Sequence, residues 1–570
     1  MPFHTLQTID GFIFNTKDIS IPQRQGQNRS IKYDEFRAII LKRYFVCELN
    51  GKRVAFRISK GNVVGGKCGG HDCVLFVNNN TFSQILIDVY SEFIVDFCQN
   101  TRGYAGISSK TINYRTLSKI IIIFTSLIAF VSVYLPTASV VHNTIFIYYI
   151  VVLCAKCFCI LVGILLYFLN KGIKERQKTC RMDNKEYPFY TILVPMFKES
   201  KETVLQMING LNNLKYPKDK LDIKFVLEEC DKNTHDIVNS IMETRNNDNN
   251  FSVLDAINII NVPAFPPQTK PKACNVASLF AFGEYIVIFD AEDIPAQNQL
   301  INALSLFKED ERRKLFCLQG NLCFYNYNKN ILTSCFNIEY NIHFKVLLMA
   351  YSFFKIKLPL GGTSNHFNFK SLEKYCFWDS YNVTEDVEIS SIIRQEENKI
   401  THLNSDTKEW CVEDLKSWIK QRTRWMKGYL LTYYLCIIRD FIEIKHFTFY
   451  KLKSVSMLDI IRHIFFTHII VGSQVMVFLL SPFLLLSLFC GHLMMPLYTT
   501  FIIVSTMIYF LGIIWYLFLI KKEYHVINFL VIISCLMYPF YFILHAITSY
   551  IALVDLIRRP FYWAKTEHKC

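Results

Sequence analysis

Three polar clusters, far apart in the chain, carry side chains that could do chemistry. Asp290-Ala291-Glu292-Asp293 ends an apolar run, EYIVIFD (284–290). If that run is a strand, alternation sets Asp290 and Glu292 on one side of the chain. Two carboxylates so placed suit a hard divalent cation such as Mg2+ or Mn2+, which would neutralise a diphosphate leaving group. A merely solvated acidic loop is the competing reading. Thr384-Glu385-Asp386 offers a carboxylate that could take a proton from a hydroxyl as a general base. The same residues also read as a helix start, with Thr384 as N-cap and acids in the first turn. Gln421, Arg424 and Trp425 share one face if their segment is helical. The guanidinium could hold phosphate through paired hydrogen bonds, and the indole could stack on a sugar ring. The segment 414–440 is also basic on one side and apolar on the other, as in a helix lying at a membrane interface.

The elements that must position these clusters show in the surrounding pattern. TILVPMF (191–197), DIKFVLEE (222–229) and EYIVIFD (284–290) read as strands, and residues 200–213 read as a helix. Strand–helix–strand alternation predicts an α/β, Rossmann-like, mostly parallel sheet over 186–440. Ligands of such sheets bind at the carboxyl ends of the strands, where the polar clusters fall. Apolar blocks flank this region. Residues 120–136 contain no Asp, Glu, Lys or Arg, and 144–169 contain only Lys156. Each block is long enough for a helix to cross a bilayer, so 119–170 is expected to hold two transmembrane helices. Residues 463–520 again lack Asp, Glu, Lys and Arg. With the run 526–554, interrupted at Pro539, they predict three or more transmembrane or interfacial helices over 460–557. Pro539 suggests two short helices or an in-plane helix rather than one span. A basic, aromatic tail, 558–570, follows. Lys156 within its span reads either as a contact to polar substrate in a channel or as a snorkelling or neutral lysine.

The chain has 570 residues, 51% hydrophobic and only 19% charged, against about 25% charged in soluble domains. An ordinary cytosolic enzyme is thereby excluded. The net charge of +14 has no zinc finger or aromatic-interleaved basic groove to explain it, so nucleic acid is not the expected partner. The basic residues sit instead beside apolar blocks, Lys171 to Arg181 after one and Lys416 to Lys427 before another. That bias expects a multi-pass protein of the cell's inner (plasma) membrane, in contact with the lipid bilayer, its middle region cytoplasmic. The 19 cysteines lie in apolar runs or scattered, not in a secreted disulfide framework. Cys68, His71 and Cys73 allow a metal site but lack a second pair at finger spacing. No signal peptide is read at the N-terminus. Residues 1–118 read as a small accessory α+β domain of unknown role, with a hairpin about Asn50-Gly51.

The order of the clusters between apolar blocks resembles the processive family-two inverting glycosyltransferases of bacterial membranes. These are the synthases of cellulose, chitin, hyaluronan and poly-N-acetylglucosamine. The resemblance covers roughly residues 188–435 and the flanking spans. It implies a GT-A catalytic domain embedded between transmembrane helices. It further implies transfer of a hexose or N-acetylhexosamine from a nucleotide-diphosphate sugar, usually a UDP-sugar, to a growing polysaccharide. Transfer would proceed by one-step inversion, coupled to export.

The family's strand-end motif is matched by Pro195-Met196-Phe197-Lys198-Glu199, with Phe197 in place of Tyr. The resemblance thus assigns Pro195, Glu199 and Asp231 to the donor, with Cys230 replacing one acid of the usual pair. It adds Lys272 near the diphosphate, Asn275 beside it, and Asp290. Asp290 and Glu292 would hold Mg2+ or Mn2+, with Asp293 able to substitute. Gln319-Gly320 and Leu360 to His366, including Gly362, Thr363 and Asn365, look like acceptor-site loops. Asp386, beside Glu385, would be the base, and Gln421, Arg424 and Trp425 would serve acceptor and diphosphate. Two alternatives stand beside this: a non-processive lipid-linked sugar transferase, and a catalytically inactive membrane scaffold or transporter, suggested by the departures at Phe197, Cys230 and Glu292.

Overall fold

Strands form where apolar residues run without a polar face, as in sheets covered on both sides. The computed structural model describes residues 187–562 apart from 244–251, 311–313, 394–397, 446–455, 491–494 and 525–526. Upstream it describes 19–20, 44–49, 52–58, 73–77, 79–100, 108–113 and 138–171, with single positions at 37, 40 and between 116 and 127. The strands β1 (Ile19–Ser20), β2 (Tyr44–Leu49), β3 (Lys52–Ile58) and β4 (Cys73–Val77) form one small sheet in that order. In it β2 and β3 run antiparallel with Leu49 opposite Lys52, the register a two-residue connection imposes. Cys68 and His71 of the suggested metal site lie outside the described residues.

The second sheet builds the site. Its strands are β5 (Tyr190–Met196), β6 (Leu221–Glu228), β7 (Ile257–Val262), β8 (Tyr285–Ile288), β9 (Ile294–Pro295), β10 (Leu315–Phe324), β11 (Asn365–Asn368) and β12 (Lys399–Glu409). The order is β7-β6-β5-β8-β11-β10-β12-β9. The first four strands are parallel. Then β11 runs antiparallel to both β8 and β10, while β12 is parallel to β10 and antiparallel to β9. The sheet is therefore a mixed GT-A-like sheet, in which a parallel half meets a half with reversed strands.

All eight residues of β6 are buried. Its two charged interior residues, Asp222 and Lys224, are two apart and so on one face, where they pair at 2.7 Å. The Ser200 side chain caps the helix Lys201–Asn212 by accepting the Thr203 N–H.

Gln319-Gly320 is not an acceptor loop. It lies in the middle of buried β10. The Gln319 amide instead holds the loop around Gly361–Thr363, accepting from Gly361 N–H at 2.7 Å and donating to Thr363 carbonyl at 3.1 Å. A glutamine between hydrophobic residues looks like a break in a strand, but a buried amide is tolerated when fully hydrogen-bonded.

Among the described residues, four helices are long and apolar enough to cross a membrane: Val140–Leu169, Met457–Phe483, Pro496–Lys522 and Phe529–Arg558. Most of 120–136 lies outside the described residues. The last run is a single helix through Pro539, not two short ones. A proline interrupts one hydrogen bond, and neighbouring helices can re-satisfy the freed group in a membrane bundle. Lys156 lies within electrostatic reach of Glu339 and His343. At Gly163 a side chain would overlap the backbone of Val346, so the first described span sits directly against the segment His343–Leu347. Gly163→Leu is expected to cost about 1–3 kcal/mol or more through overpacking, read as a lower unfolding temperature of the detergent-purified protein. An unchanged melt would contradict this close seating.

Candidate active site

One cavity of ≈ 1380 Å³ opens at the carboxyl ends of β5, β6 and β8 and runs on towards the membrane helices. At its first end stand Pro195 near the end of β5 and Phe197, Lys198 and Glu199 just after it, with Glu228 of β6 and the loop Ala264–Thr269 opposite. The turn after β5 is held by Asp231, whose carboxylate accepts the Lys198 N–H and the Thr234 hydroxyl. Lys198 has φ 55°, a left-handed conformation that costs a non-glycine residue energy. Asp231 thus shapes the donor end without lining it.

The donor assignment of Lys272 needs correction. Its side chain is fully buried, paired with Glu228 at 2.9 Å and donating to the Pro263 and Phe265 carbonyls at 3.4 Å. It braces the loop and does not line the cavity. The cation that faces the cavity is Lys270, two residues earlier, which pairs with Asp290 and donates to the Gly362 carbonyl at 2.7 Å. The helix Lys270–Ser278 turns one lysine in and one out; spacing alone does not say which. Asn275 is also buried away from the cavity, bonded to Trp378 and Ser380. Asn365 lies in β11 and donates to Gly361, whereas Gly362 and Thr363 line the cavity.

At the centre the chain turns sharply after β8, with Asp293 N–H donating to the Asp290 carbonyl at 3.0 Å. Asp290 and Glu292 line the cavity. Asp293 points inward and is fully buried, accepting from Asp290 N–H at 2.8 Å and from the Thr363 hydroxyl. Burial, then Asp290 and Glu292, hold Asp293 well above the ordinary carboxylate range. Glu409, at the end of β12, is raised likewise by burial and then by Asp293, Asp290 and Glu292. Sequence reading did not single out Glu409, and its distance along the chain gave no signal.

No three His, Cys, Asp or Glu side chains among the described residues converge as a metal cage. Asp290 and Glu292 still fit a cation that takes its other ligands from phosphate and water, as Mg2+ does. One buried oxygen each of Asp293 and Glu409 has no hydrogen-bond partner, so acceptor atoms stand close behind the pair.

Across the cavity, Glu385 and Asp386 open the helix Glu385–Ile392. Thr384 stands at its N-cap position but makes no side-chain cap bond. Its N–H and hydroxyl turn instead to Asn382 Oδ1. Burial, and then neighbouring Glu385, push the Asp386 carboxyl up to about 7, against the opposing pull of Lys270 and Arg424. For Lys270 burial works against charge, but Asp290 and Glu385 outweigh it and keep the ammonium above its ordinary range.

Gln421, Arg424 and Trp425 all line the cavity from the helix Leu415–Lys445. Arg424 donates to the Val383 carbonyl at 3.4 Å and feels Glu385, Asp386 and Asp290. Trp425 stacks near Tyr340, ring centroids 6.4 Å apart. Beneath it Arg422 forms a paired bond to Glu339, at 2.7 and 2.6 Å, and lies 4.6 Å from the Trp425 ring centre. The helix meets Thr384 at Gly428, where a Cβ would overlap the Thr384 side chain.

With this geometry in hand, comparison with known proteins gives the class. Residues 285–552 match the family described as Glycosyl transferase family group 2. The match begins in β8 and takes in the acidic turn, Asp386 and the Gln421–Trp425 helix. Among individual proteins, the chain is similar to the probable glycosyltransferase YdaM of Bacillus subtilis (strain 168), 27% identical over 293 residues. That alignment covers 50% of this chain and 64% of the relative, so the chain spans less than two thirds of the relative's length. Among solved structures, it is similar to the mannosyltransferase PcManGT from Pyrobaculum calidifontis in complex with GDP-Man and Mn2+ (TM-score 0.43, 15% identity, 72% of this chain and 99% of that one). It is also similar to S. aureus TarS 1-349 (TM-score 0.32, 14% identity, 51% and 75%).

The contact at Gly428 makes a prediction. Gly428→Ala should displace Thr384, and with it Asp386, by a few tenths of an ångström or more. Turnover in a sugar-incorporation assay is expected to fall by about tenfold or more while the protein still purifies folded. Full turnover would show that the helix and the loop are not so tightly registered.

Proposed function

We propose that the chain is an inverting glycosyltransferase of the inner membrane. It moves a hexose or N-acetylhexosamine from a nucleotide-diphosphate sugar, a UDP-sugar by preference, to a growing polysaccharide. The observation that carries this reading is a single cavity lined by Phe197 and Glu199, by Lys270, Asp290 and Glu292, by Asp386, and by Arg424 and Trp425. In this reading the acceptor hydroxyl gives its proton to Asp386. Its oxygen attacks the anomeric carbon, and the bond to the diphosphate breaks with the electron pair leaving on phosphate. Lys270 and Arg424 face that developing charge. Asp290 and Glu292 would hold Mg2+ or Mn2+, whose chemistry is to neutralise diphosphate oxygens. Trp425 offers an apolar face to the acceptor ring.

Processivity and export are supported by the cavity's extension past Trp425 to Gln474, Ile551 and Tyr562 on the membrane helices and the tail. The basic residues flanking the middle region support a cytoplasmic catalytic domain.

A base must be ionised to act, so kcat/KM is expected to rise with pH and level off above about 7, following Asp386. The sign for stability is opposite. A carboxyl raised in the folded state binds its proton more tightly there than in the unfolded chain, near 3.9. Its contribution is complete below that value and is lost as pH rises towards about 7. Asp386→Asn should therefore lower sugar incorporation by about 10²-fold or more and flatten that part of the stability profile. Incorporation at the native rate would remove Asp386 as the base. Asp290→Ala is expected to weaken metal-dependent binding of nucleoside diphosphate by about tenfold or more, measured by calorimetry with and without Mn2+. Equal affinity would place the metal elsewhere. Incubating membranes with a panel of nucleotide sugars, then digesting the product with glycosidases of known linkage, identifies the sugar; an absence of transfer from every donor defeats the reading.

A further inference from the structure

The chain before the first described span takes no part in the transfer reaction above, yet it touches two loops that border the cavity. The helix Ser91–Asn100 lies against the donor end. Gln99 Nε2 donates to the Pro266 carbonyl at 3.0 Å, and Pro266 lines the cavity. Phe97 meets Phe377 edge-on at 5.9 Å. The turn that follows, Ser109–Thr111, meets the loop leading to Asp386.

Asp379 is the joint. It is 2% exposed and does not line the cavity. Its Oδ1 accepts from the Ser108 hydroxyl at 2.9 Å and from Tyr381 N–H at 3.0 Å, and its Oδ2 accepts from Ser109 N–H at 2.6 Å. The bonds continue towards the base. Asn382 N–H donates to the Asp379 carbonyl at 3.1 Å, and Asn382 Oδ1 accepts from Thr384 N–H at 3.0 Å. Thr384 precedes the helix whose second residue is Asp386. Lys110 closes the bracket, donating to the Gln99 carbonyl at 3.3 Å and lying 5.3 Å from the Tyr381 ring centre.

We infer that Asp379 is a positioning residue, and that residues 97–100 together with 108–111 form an internal bracket setting the Asp386 loop against the donor loop 264–269. The inference rests on the reading of Asp386 as the base. A carboxylate held by three donors, two from a distant segment, cannot rotate without stranding buried polar groups. A base displaced by about 1 Å loses about 10²-fold in rate, so a bracket of this kind acts on turnover rather than on nucleotide affinity.

The test uses the full chain purified in detergent. Ser108→Ala removes the hydroxyl. Ser109→Pro removes the N–H at the first position of a helical turn, where proline's φ fits. This double variant and Asp379→Asn are each expected to lower kcat about tenfold or more, with nucleoside-diphosphate Kd within about twofold of native. Combining all three should lower kcat by less than the product of the two separate effects, because the changes break overlapping bonds. Unchanged kcat, multiplying effects, or loss of nucleotide affinity in step with kcat would overturn the bracket. Hydrogen exchange judges it without reference to activity. Amides from Tyr381 to Val387 should exchange about tenfold faster in the Ser108/Ser109 variant, with β5, β6 and β8 unaffected. Native exchange there overturns the bracket even if no sugar is ever transferred, whereas faster exchange in a chain that transfers no sugar defeats only the transferase reading.

Discussion

Carboxylates crowded into a low-dielectric space repel one another, and the cavity has to accommodate this at every point. Asp290, Glu292, Glu385, Asp386 and Glu409 line it, and Asp293 stands just behind. Lys270 and Arg424 are the cations whose charges reach this group. The arrangement is tolerable because the acids divide into kinds. Asp290 is paired with Lys270. Asp293 and Glu409 are driven towards the protonated form by burial and by their acidic neighbours. Asp386 is left between, near neutrality, where a group can accept and return a proton. A nucleotide diphosphate brings more negative charge, and that is the physical reason a divalent cation belongs beside Asp290 in the proposed reaction.

Everything around the acids acts to hold them apart by fixed distances. The parallel half of the sheet delivers Phe197, Glu228 and Asp290 to one edge. The reversed strand β11 then lays the loop Gly361–Ser364 against Asp290, with Ser364 N–H donating to the Ile288 carbonyl at 2.8 Å. From the other side, the helix Leu415–Lys445 carries Arg424 and Trp425 and is itself anchored towards the membrane. Arg422 pairs with Glu339, and Tyr541 of the last span donates to the same carboxylate at 2.9 Å. Lys427 pairs with Asp555 at 2.7 Å and donates to the carbonyls of Arg559 and Tyr562 at 3.0 Å. Breaking such buried pairs by removing one partner typically costs several kcal/mol. The cavity wall carrying Arg424 and Trp425 and the long apolar helices are thus one mechanical unit.

Much of this was legible beforehand because it is local. Short, nearly continuous apolar runs marked β5, β6 and β8, and charge-free blocks marked the long helices. The three motifs were recognisable by residue type and spacing. Strands β7, β10, β11 and β12 were harder. Polar residues such as Gln319 and Asn365 interrupt their apolar pattern and are satisfied only by partners distant in sequence. The same cause explains the exchange of Lys272 for Lys270. Two lysines in one helical turn are alike in sequence, and only the position of Glu228 on the neighbouring strand draws one of them inside.

Sequence alone determined which chemistries were available: carboxylates at strand and helix ends, a guanidinium and an indole on one helical face, and apolar lengths matched to a bilayer. These depend on neighbours within a few residues, where backbone geometry leaves few choices. Tertiary structure alone decided which acid is ionised, which lysine meets the cavity, that Pro539 does not break its helix, and that Asp379 ties residues before the first described span to the loop bearing Asp386. Each of those outcomes is set by burial and by charges from other elements, and neither quantity exists until the chain has packed.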